Sequence, residues 1–222
     1  MTRILAVVEG RSEELFLKRT LAPRLAGRGL YLEPMKVLRG GGARGGGSSW
    51  QPWRKHLSGL LNGQPRVGVV VTTFLDLYRI PKDTPGYSSP DGNGEQRAES
   101  MVRAIHEQLG SDPRLLPYVQ VHEFEALLYC DLTALTRVEP DLFPTNRVST
   151  LVNSVAHLAP ESVNESEATA PSKRILAVLP AFDKIDHGVP AVEAIGLDAL
   201  RTKCPRFHAW ITRLEAFGEA PP

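Results

Sequence analysis

The chain has 222 residues, 42% hydrophobic and 23% charged, with a formal net charge of +1. That composition is ordinary for a soluble globular protein with room for a substantial core, and the near-neutral charge gives no overall pull towards nucleic acid or a membrane. Two cysteines, Cys130 and Cys204, are too few for a disulfide framework and fit a reducing cytoplasm. No stretch reaches the length of a membrane span, and the apolar run at the start is too short for a signal-peptide core.

Ile4 to Val8 is uninterrupted apolar sequence, which predicts a strand covered on both faces, as in a parallel sheet. Glu9 follows at its carboxyl end, the edge where open α/β sheets bind ligands. A carboxylate there is costly unless something pairs with it. Gly10 suits a tight turn into a helix over about 12–26, whose first turn carries Glu13 and Glu14. Acids in a first turn also serve helix stability alone. Tyr31 to Leu38, with Pro34 inside it, is expected to be an edge or bent strand.

From Glu33 to Asp76 no acid intervenes, while Lys36, Arg39, Arg44, Arg54, Lys55 and Arg66 all fall in that interval. A one-sided basic segment is what a phosphate-binding surface needs, though chance clustering would give the same pattern. Within it, Gly40, Gly42 and Gly45 satisfy G-x-G-x-x-G, but no acid follows at the spacing a ribose contact requires. Gly41 and Gly46 have P-loop spacing, yet Gly47 stands where the lysine belongs. The preferred reading is a mobile glycine loop with Arg44 at its tip, able to approach a phosphate backbone. Trp50, Trp53, Leu57, Leu60 and Leu61 then recur at helical spacing, which favours core packing over base stacking and turns Arg54 and Lys55 towards solvent.

Val67 to Thr73 is a second doubly buried strand, and it leads to Asp76. The stretch from Arg79 to Gly94 reads as a long loop suited to a lid or substrate contact. An amphipathic helix is expected over 95–109. Tyr118 to Val121 is a third core strand, ending in His122-Glu123-Phe124-Glu125. A zinc-peptidase reading fails because Ala126 stands four residues after His122, where a second histidine is needed. Of Glu123 and Glu125, one is a candidate metal ligand or general base and the other a helix-start acid. Beyond about residue 135 the pattern becomes helical. Pro160 to Pro171 is polar and expected to be exposed, and Pro171 opens a helix carrying Lys173. The last helix starts at Pro205 and carries Phe207, Trp210, Ile211 and Leu214 on one face.

Three buried strands thus each end in acid: Glu9, Asp76, and Glu123 with Glu125. On one sheet edge such acids repel each other, and a divalent cation relieves the repulsion; oxygen-only ligands suit Mg²⁺ or Mn²⁺. That constellation fits metal-assisted phosphoryl chemistry, with Lys173 or Lys184 adding positive charge for the transition state.

The segment Glu9-Gly10-Arg11-Ser12-Glu13 resembles the opening motif of toprim domains, found in topoisomerases, bacterial primases and the overcoming-lysogenization-defect nucleases. The ordered set Val8-Glu9-Gly10, Thr73 to Tyr78, His122 to Leu128, Pro171-Ser172-Lys173-Arg174, His187-Gly188 and Cys204-Pro205-Arg206-Phe207 is similar to a bacterial family of unknown function in the toprim-like group. The resemblance implies an α/β toprim-like core over 1–135, with a mainly parallel sheet of about four strands flanked by helices. A helical C-terminal part, 136–222, would pack on it. It implies Glu9, Glu13 and Asp76 as metal-facing acids, joined by Glu123 or Glu125, and Glu9, Asp76, Glu123 and Lys173 as the catalytic set. Arg39, Arg44, Arg54 and Lys55 would hold a DNA or RNA backbone. The expected activity is Mg²⁺- or Mn²⁺-dependent phosphodiester hydrolysis in phage defence. The alternative is a non-catalytic effector or sensor acting through a protein partner such as an ATPase. The departure from the pattern is Tyr78, which stands where toprim families usually carry a second aspartate.

Overall fold

A computed structural model describes residues 1–37, 49–78, 80–87, 93–163 and 169–218. The apolar run at the start forms β1 (Thr2–Val8), and the expected first helix follows in three parts. These are α1 (Arg11–Phe16), a π-helical turn (Leu17–Leu21) and α2 (Ala22–Ala26). The wide turn has a local cause. Pro23 has no N–H to give to the carbonyl four residues back, and Ala22 N–H bonds instead to the Leu17 carbonyl, five back. Then come β2 (Leu30–Lys36), α3 (Gln51–Gly63), β3 (Val69–Asp76) and α4 (Gly94–Gln108).

The strand expected at 118–121 is made of two short pieces, β4 (Leu115–Leu116) and β5 (Val119–Gln120), both parallel to β3. Pro117, which has no N–H, falls in the break. The Thr73 hydroxyl bridges it, accepting from Tyr118 N–H at 2.8 Å and donating to the Tyr118 carbonyl at 2.7 Å. The sheet order is β2-β1-β3-β4, with every pair parallel, as the apolar runs predicted.

Both faces are covered. Ile4, Ala6, Val8, Val70 and Phe74 point into one apolar cluster, and Val7, Val71 and Leu75 into the other. The second cluster lies under α3 and α4 and contains both Trp50 and Trp53, so the tryptophans pack in the core as expected. The first cluster is larger. It joins α1, α2 and a 3-10 helix (Phe124–Cys130) to the later helices α5 (Ala134–Val138), α6 (Thr145–Val155), α7 (Pro171–Val178), α8 (Val189–Ile195), α9 (Leu197–Lys203) and α10 (Pro205–Glu215). On α10, Trp210 stacks on Tyr118 with centroids 4.5 Å apart and donates from Nε1 to Thr72 Oγ1 at 2.9 Å. The C-terminal helices therefore share one core with the sheet.

One expectation is corrected. The polar stretch from Pro160 is not simply a surface loop: Pro160, Glu161, Val163, Ala170 and Pro171 are buried. Glu161 accepts from the N–H groups of Arg206 and Phe207, both at 3.2 Å, and so satisfies donors left open at the start of α10. Among the described residues, no helix is long and apolar enough to cross a membrane.

Candidate functional site

The connection leaving β1 runs through α1 and α2 on one face towards β2, while that leaving β3 runs through α4 on the other face towards β4. Adjacent parallel strands whose connections diverge in this way leave a crevice at their carboxyl ends. Val8 pairs with Phe74, so Glu9 and Asp76 leave the sheet side by side in that crevice. Asp76 is buried, and Glu9 is close enough to disfavour its ionisation.

Glu13, on the first turn of α1, is 2% exposed. Its Oε2 accepts from Gly10 N–H at 2.9 Å, which ties the carboxylate to the turn that releases Glu9. A Cβ on Gly10 would lie 2.9 Å from that same oxygen, so a larger residue there would push the Glu13 carboxylate aside. His122 has φ of 68°, in the left-handed region that costs a non-glycine residue energy. It is held there by burial and by its Nε2, 3.1 Å from the Glu161 carbonyl. Burial lowers its pKa from 6.5 to about 4, so the ring is neutral. After this bend Glu123 and Glu125 go to different places. Glu123 Oε1 accepts from Ser172 N–H at 2.6 Å, at the start of α7, while Glu125 turns into the crevice.

Glu13, Asp76 and Glu125 meet at a single cation, Lys184. Its Nζ lies 3.1 Å from Glu13 Oε1, 3.4 Å from Asp76 Oδ2 and 3.2 Å from Glu125 Oε2. Lys184 opens a second π-helical turn (Lys184–Gly188), again just before a proline, Pro190, whose position lacks an N–H donor. Asp183 caps this turn, accepting from Ile185 and Asp186 N–H at 2.7 and 2.9 Å, and His187 Nδ1 accepts from Asp183 N–H at 2.9 Å. Lys184 is thereby anchored at its backbone while its side chain stays 32% exposed.

One ammonium does not satisfy this many carboxylate oxygens. Only its contact with Asp76 Oδ2 has hydrogen-bond geometry. Glu13 Oε1 and Glu125 Oε2 meet it off-angle, and Asp76 Oδ1 is buried with no hydrogen-bond partner among the described residues. Such groups cost about 1–3 kcal/mol each when left unsatisfied. Burial accordingly drives the Asp76 carboxyl well above the ordinary range; Lys184 opposes the shift, and Glu13, Glu9 and Glu125 add to it. Burial raises Glu125 to about 7, with Lys184 opposing and Glu123 adding. For Lys184, burial works against the charge, but Asp76, Glu125 and Glu13 outweigh it and hold the ammonium well above its usual range.

Of the residues singled out from sequence, the structure brings Glu9, Glu13, Asp76 and Glu125 to one edge. Glu123 is adjacent but bonded to α7. Lys173 is exposed on α7, and Lys184, its alternative, stands among the acids. Arg54 and Lys55 are exposed on α3. Arg39 and Arg44, with the glycine loop, lie outside the described residues, as do Arg79 and residues 88–92 of the expected lid. Tyr78 gives its N–H to the His122 carbonyl at 2.6 Å and so extends the pairing of β3 beyond Asp76. The part of Glu161 in shaping the site had no sequence signal, because it sits in a polar stretch.

The fold and the crevice define the class: an α/β protein with a parallel sheet whose switch point is lined by Glu9, Glu13, Asp76 and Glu125 around Lys184. The family is narrower. Residues 8–215 match the model of DUF4276, a domain of unknown function, and the chain belongs to that family. No curated protein matches the chain. Among solved structures it is similar to the C-terminal region of the OLD protein of Xanthomonas campestris pv. campestris, at 14% identity and a TM-score of 0.40, over 96% of this chain and 98% of that one.

Proposed function

We propose that this protein is a toprim-like, divalent-cation-dependent nuclease that hydrolyses phosphodiester bonds of DNA or RNA. The observation that carries the reading is the convergence of buried, under-satisfied carboxylates at the switch point of a parallel sheet. Asp76 Oδ1 is buried without a hydrogen-bond partner among the described residues, Glu13 Oε1 and Glu125 Oε2 share the one Lys184 ammonium at 3.1 and 3.2 Å, and Glu9 stands next to them. All are hard oxygen ligands, the donor set that Mg²⁺ and Mn²⁺ prefer. Among the described residues, no group of three or more acids, histidines or cysteines is arranged to hold a metal ion. In chemical kind the donors fit the ion, since all are carboxylate oxygens.

Glu9, Glu13, Asp76 and Glu125 would hold the ion, with Glu123 as a further candidate. When bound, Mg²⁺ or Mn²⁺ supplies a Lewis acid that polarises the phosphoryl group and lowers the pKa of an attacking water. Without the ion, the Lys184 ammonium offsets part of the charge of Glu13, Asp76 and Glu125. Lys173, exposed on α7, would meet substrate from outside the cluster. Arg54 and Lys55 on α3, with Arg39 and Arg44, would meet the nucleic-acid backbone through salt-sensitive phosphate contacts. A role in phage defence beside an ATPase partner in the cytoplasm is part of the same proposal.

The second reading, a non-catalytic module acting through a partner, is favoured by two observations. Tyr78 stands where toprim patterns carry an acid, and Lys184 already compensates part of the acid charge. The two readings separate in a cleavage assay on single- and double-stranded DNA and RNA with Mg²⁺ or Mn²⁺. The nuclease reading expects cleavage by the natural chain and its loss in Glu9→Ala and Asp76→Ala. Equal cleavage by all three would remove the assignment, and absence of cleavage in all would favour the partner-dependent module.

A further inference from the structure

Lys184 contacts carboxylates from three separate elements: α1, the end of β3, and the 3-10 helix that follows β5. No other part of the chain brings one cation to acids from so many elements among the described ion pairs. The ammonium is held at 3.1 to 3.4 Å, the spacing of an N–H donor. Mg²⁺ takes its oxygens at about 2.1 Å. The same carboxylates cannot close around an ion at that distance while the ammonium stands between them. Lys184 is also unlike a fixed buried ion pair. Its backbone is anchored by the Asp183 cap, but its side chain is one-third exposed and reaches the acids through four flexible methylenes.

We propose that Lys184 is an internal stand-in for the divalent cation: its ammonium occupies the cation position in the ion-free protein and swings out to solvent when the ion binds. The inference rests on the acid cluster being a cation site, as proposed above, and adds how that site is kept intact without its ion. Four acids at one sheet edge with no cation would repel each other and open the crevice. The ammonium holds them together at the cost of apparent ion affinity. A site that is competent for only a fraction of the time binds with its affinity reduced by that fraction. If the lysine-in state holds nine-tenths of the molecules or more, removing the ammonium tightens ion binding by about tenfold or more.

The test is Mn²⁺ binding to the full chain, followed by the loss of the free-Mn²⁺ paramagnetic resonance signal, for the natural protein and for Lys184→Met. Tighter binding by the variant, about tenfold or more, is expected. Removing the ammonium from the acid cluster could unfold the variant, so a second measurement uses the natural protein alone. Reductive methylation followed by mass spectrometry reads the accessibility of Lys184 with and without saturating Mn²⁺. Its modification rate is expected to rise several-fold with the ion, while that of exposed Lys173 stays constant. If the natural protein binds Mn²⁺ but the variant binds no more tightly, or if Lys184 gains no reactivity with the ion bound, the exchange is overturned and the cation site survives. If neither protein binds Mn²⁺, both the exchange and the cation site are overturned.

Discussion

Lys184 Nζ lies 3.4 Å from Asp76 Oδ2, a contact that joins residues 108 apart in the chain. It ties the helical C-terminal part to the carboxyl edge of the sheet, so the crevice is completed by a residue outside the α/β core. The acid cluster and the later helices form one electrostatic unit.

The pH dependence of stability follows from two buried groups with opposite trends. Glu125 is raised from 4.5 to about 7, so the folded state holds a proton that the unfolded state releases across that window. Its contribution is complete below about 4.5 and is lost as pH rises through about 7. A tenfold change in proton affinity is worth about 1.4 kcal/mol, so Glu125→Gln, measured without divalent ions, should gain on the order of 3 kcal/mol over the natural chain above pH 7. The two proteins should converge near pH 4.5. A gain that is the same at both pH values would show that Glu125 does not titrate this way.

His122 acts in the other direction. Its folded pKa is lowered from 6.5 to about 4, so the unfolded state binds the extra proton. The stability it confers is present above 6.5 and lost as pH falls towards 4. Because the two windows overlap, the natural chain should show a flatter profile than either variant alone. Denaturant midpoints for His122→Asn, which keeps a residue tolerant of positive φ, should rise relative to those of the natural chain as pH falls from 6.5 to 4.5. A parallel loss in both proteins would contradict it.

Gly10→Ala should damage the site more than the fold. The new methyl group meets Glu13 Oε2 at 2.9 Å, while the glycine's φ of −138° is open to any residue. Thermal unfolding should move by no more than a few degrees, whereas Mn²⁺ affinity should fall several-fold. Unchanged Mn²⁺ binding would show that the Glu13 carboxylate does not need its bond to Gly10.

Trp210→Ala should be the costly change among the C-terminal helices. It removes the stack on Tyr118 and leaves the Thr72 hydroxyl without its donor. Large-to-small core changes at tryptophan cost about 3–5 kcal/mol. Urea unfolding should show a loss in that range; a loss under about 1 kcal/mol would mean that α10 contributes little to holding the sheet.

Much of this arrangement is legible in the sequence because it depends on local pattern. Apolar runs followed by acid mark β1 and β3 and place Glu9 and Asp76 at one edge, and helical spacing puts Trp50 and Trp53 in the core. What was not legible depends on backbone detail. The sequence sets Glu123 and Glu125 to different tasks, but which of them reaches the crevice depends on the backbone after the left-handed bend at His122. Lys173 and Lys184 look alike as helix-surface lysines. Only the Asp183 cap and the wide turn before Pro190 aim one of them at the acids. Glu161 is hidden in polar sequence because its burial is made by α10, more than 40 residues later. The match of residues 8–215 to one family spans both the α/β part and the later helices, in keeping with the core they share.

The most direct measurement is a crystal of the full chain grown with Mn²⁺ and recorded at the manganese absorption edge. The account predicts an anomalous peak among the carboxylates of Glu9, Glu13, Asp76 and Glu125, with the Lys184 ammonium moved out of the crevice. A map at saturating Mn²⁺ with no peak there, and Lys184 still between Glu13, Asp76 and Glu125, would contradict it.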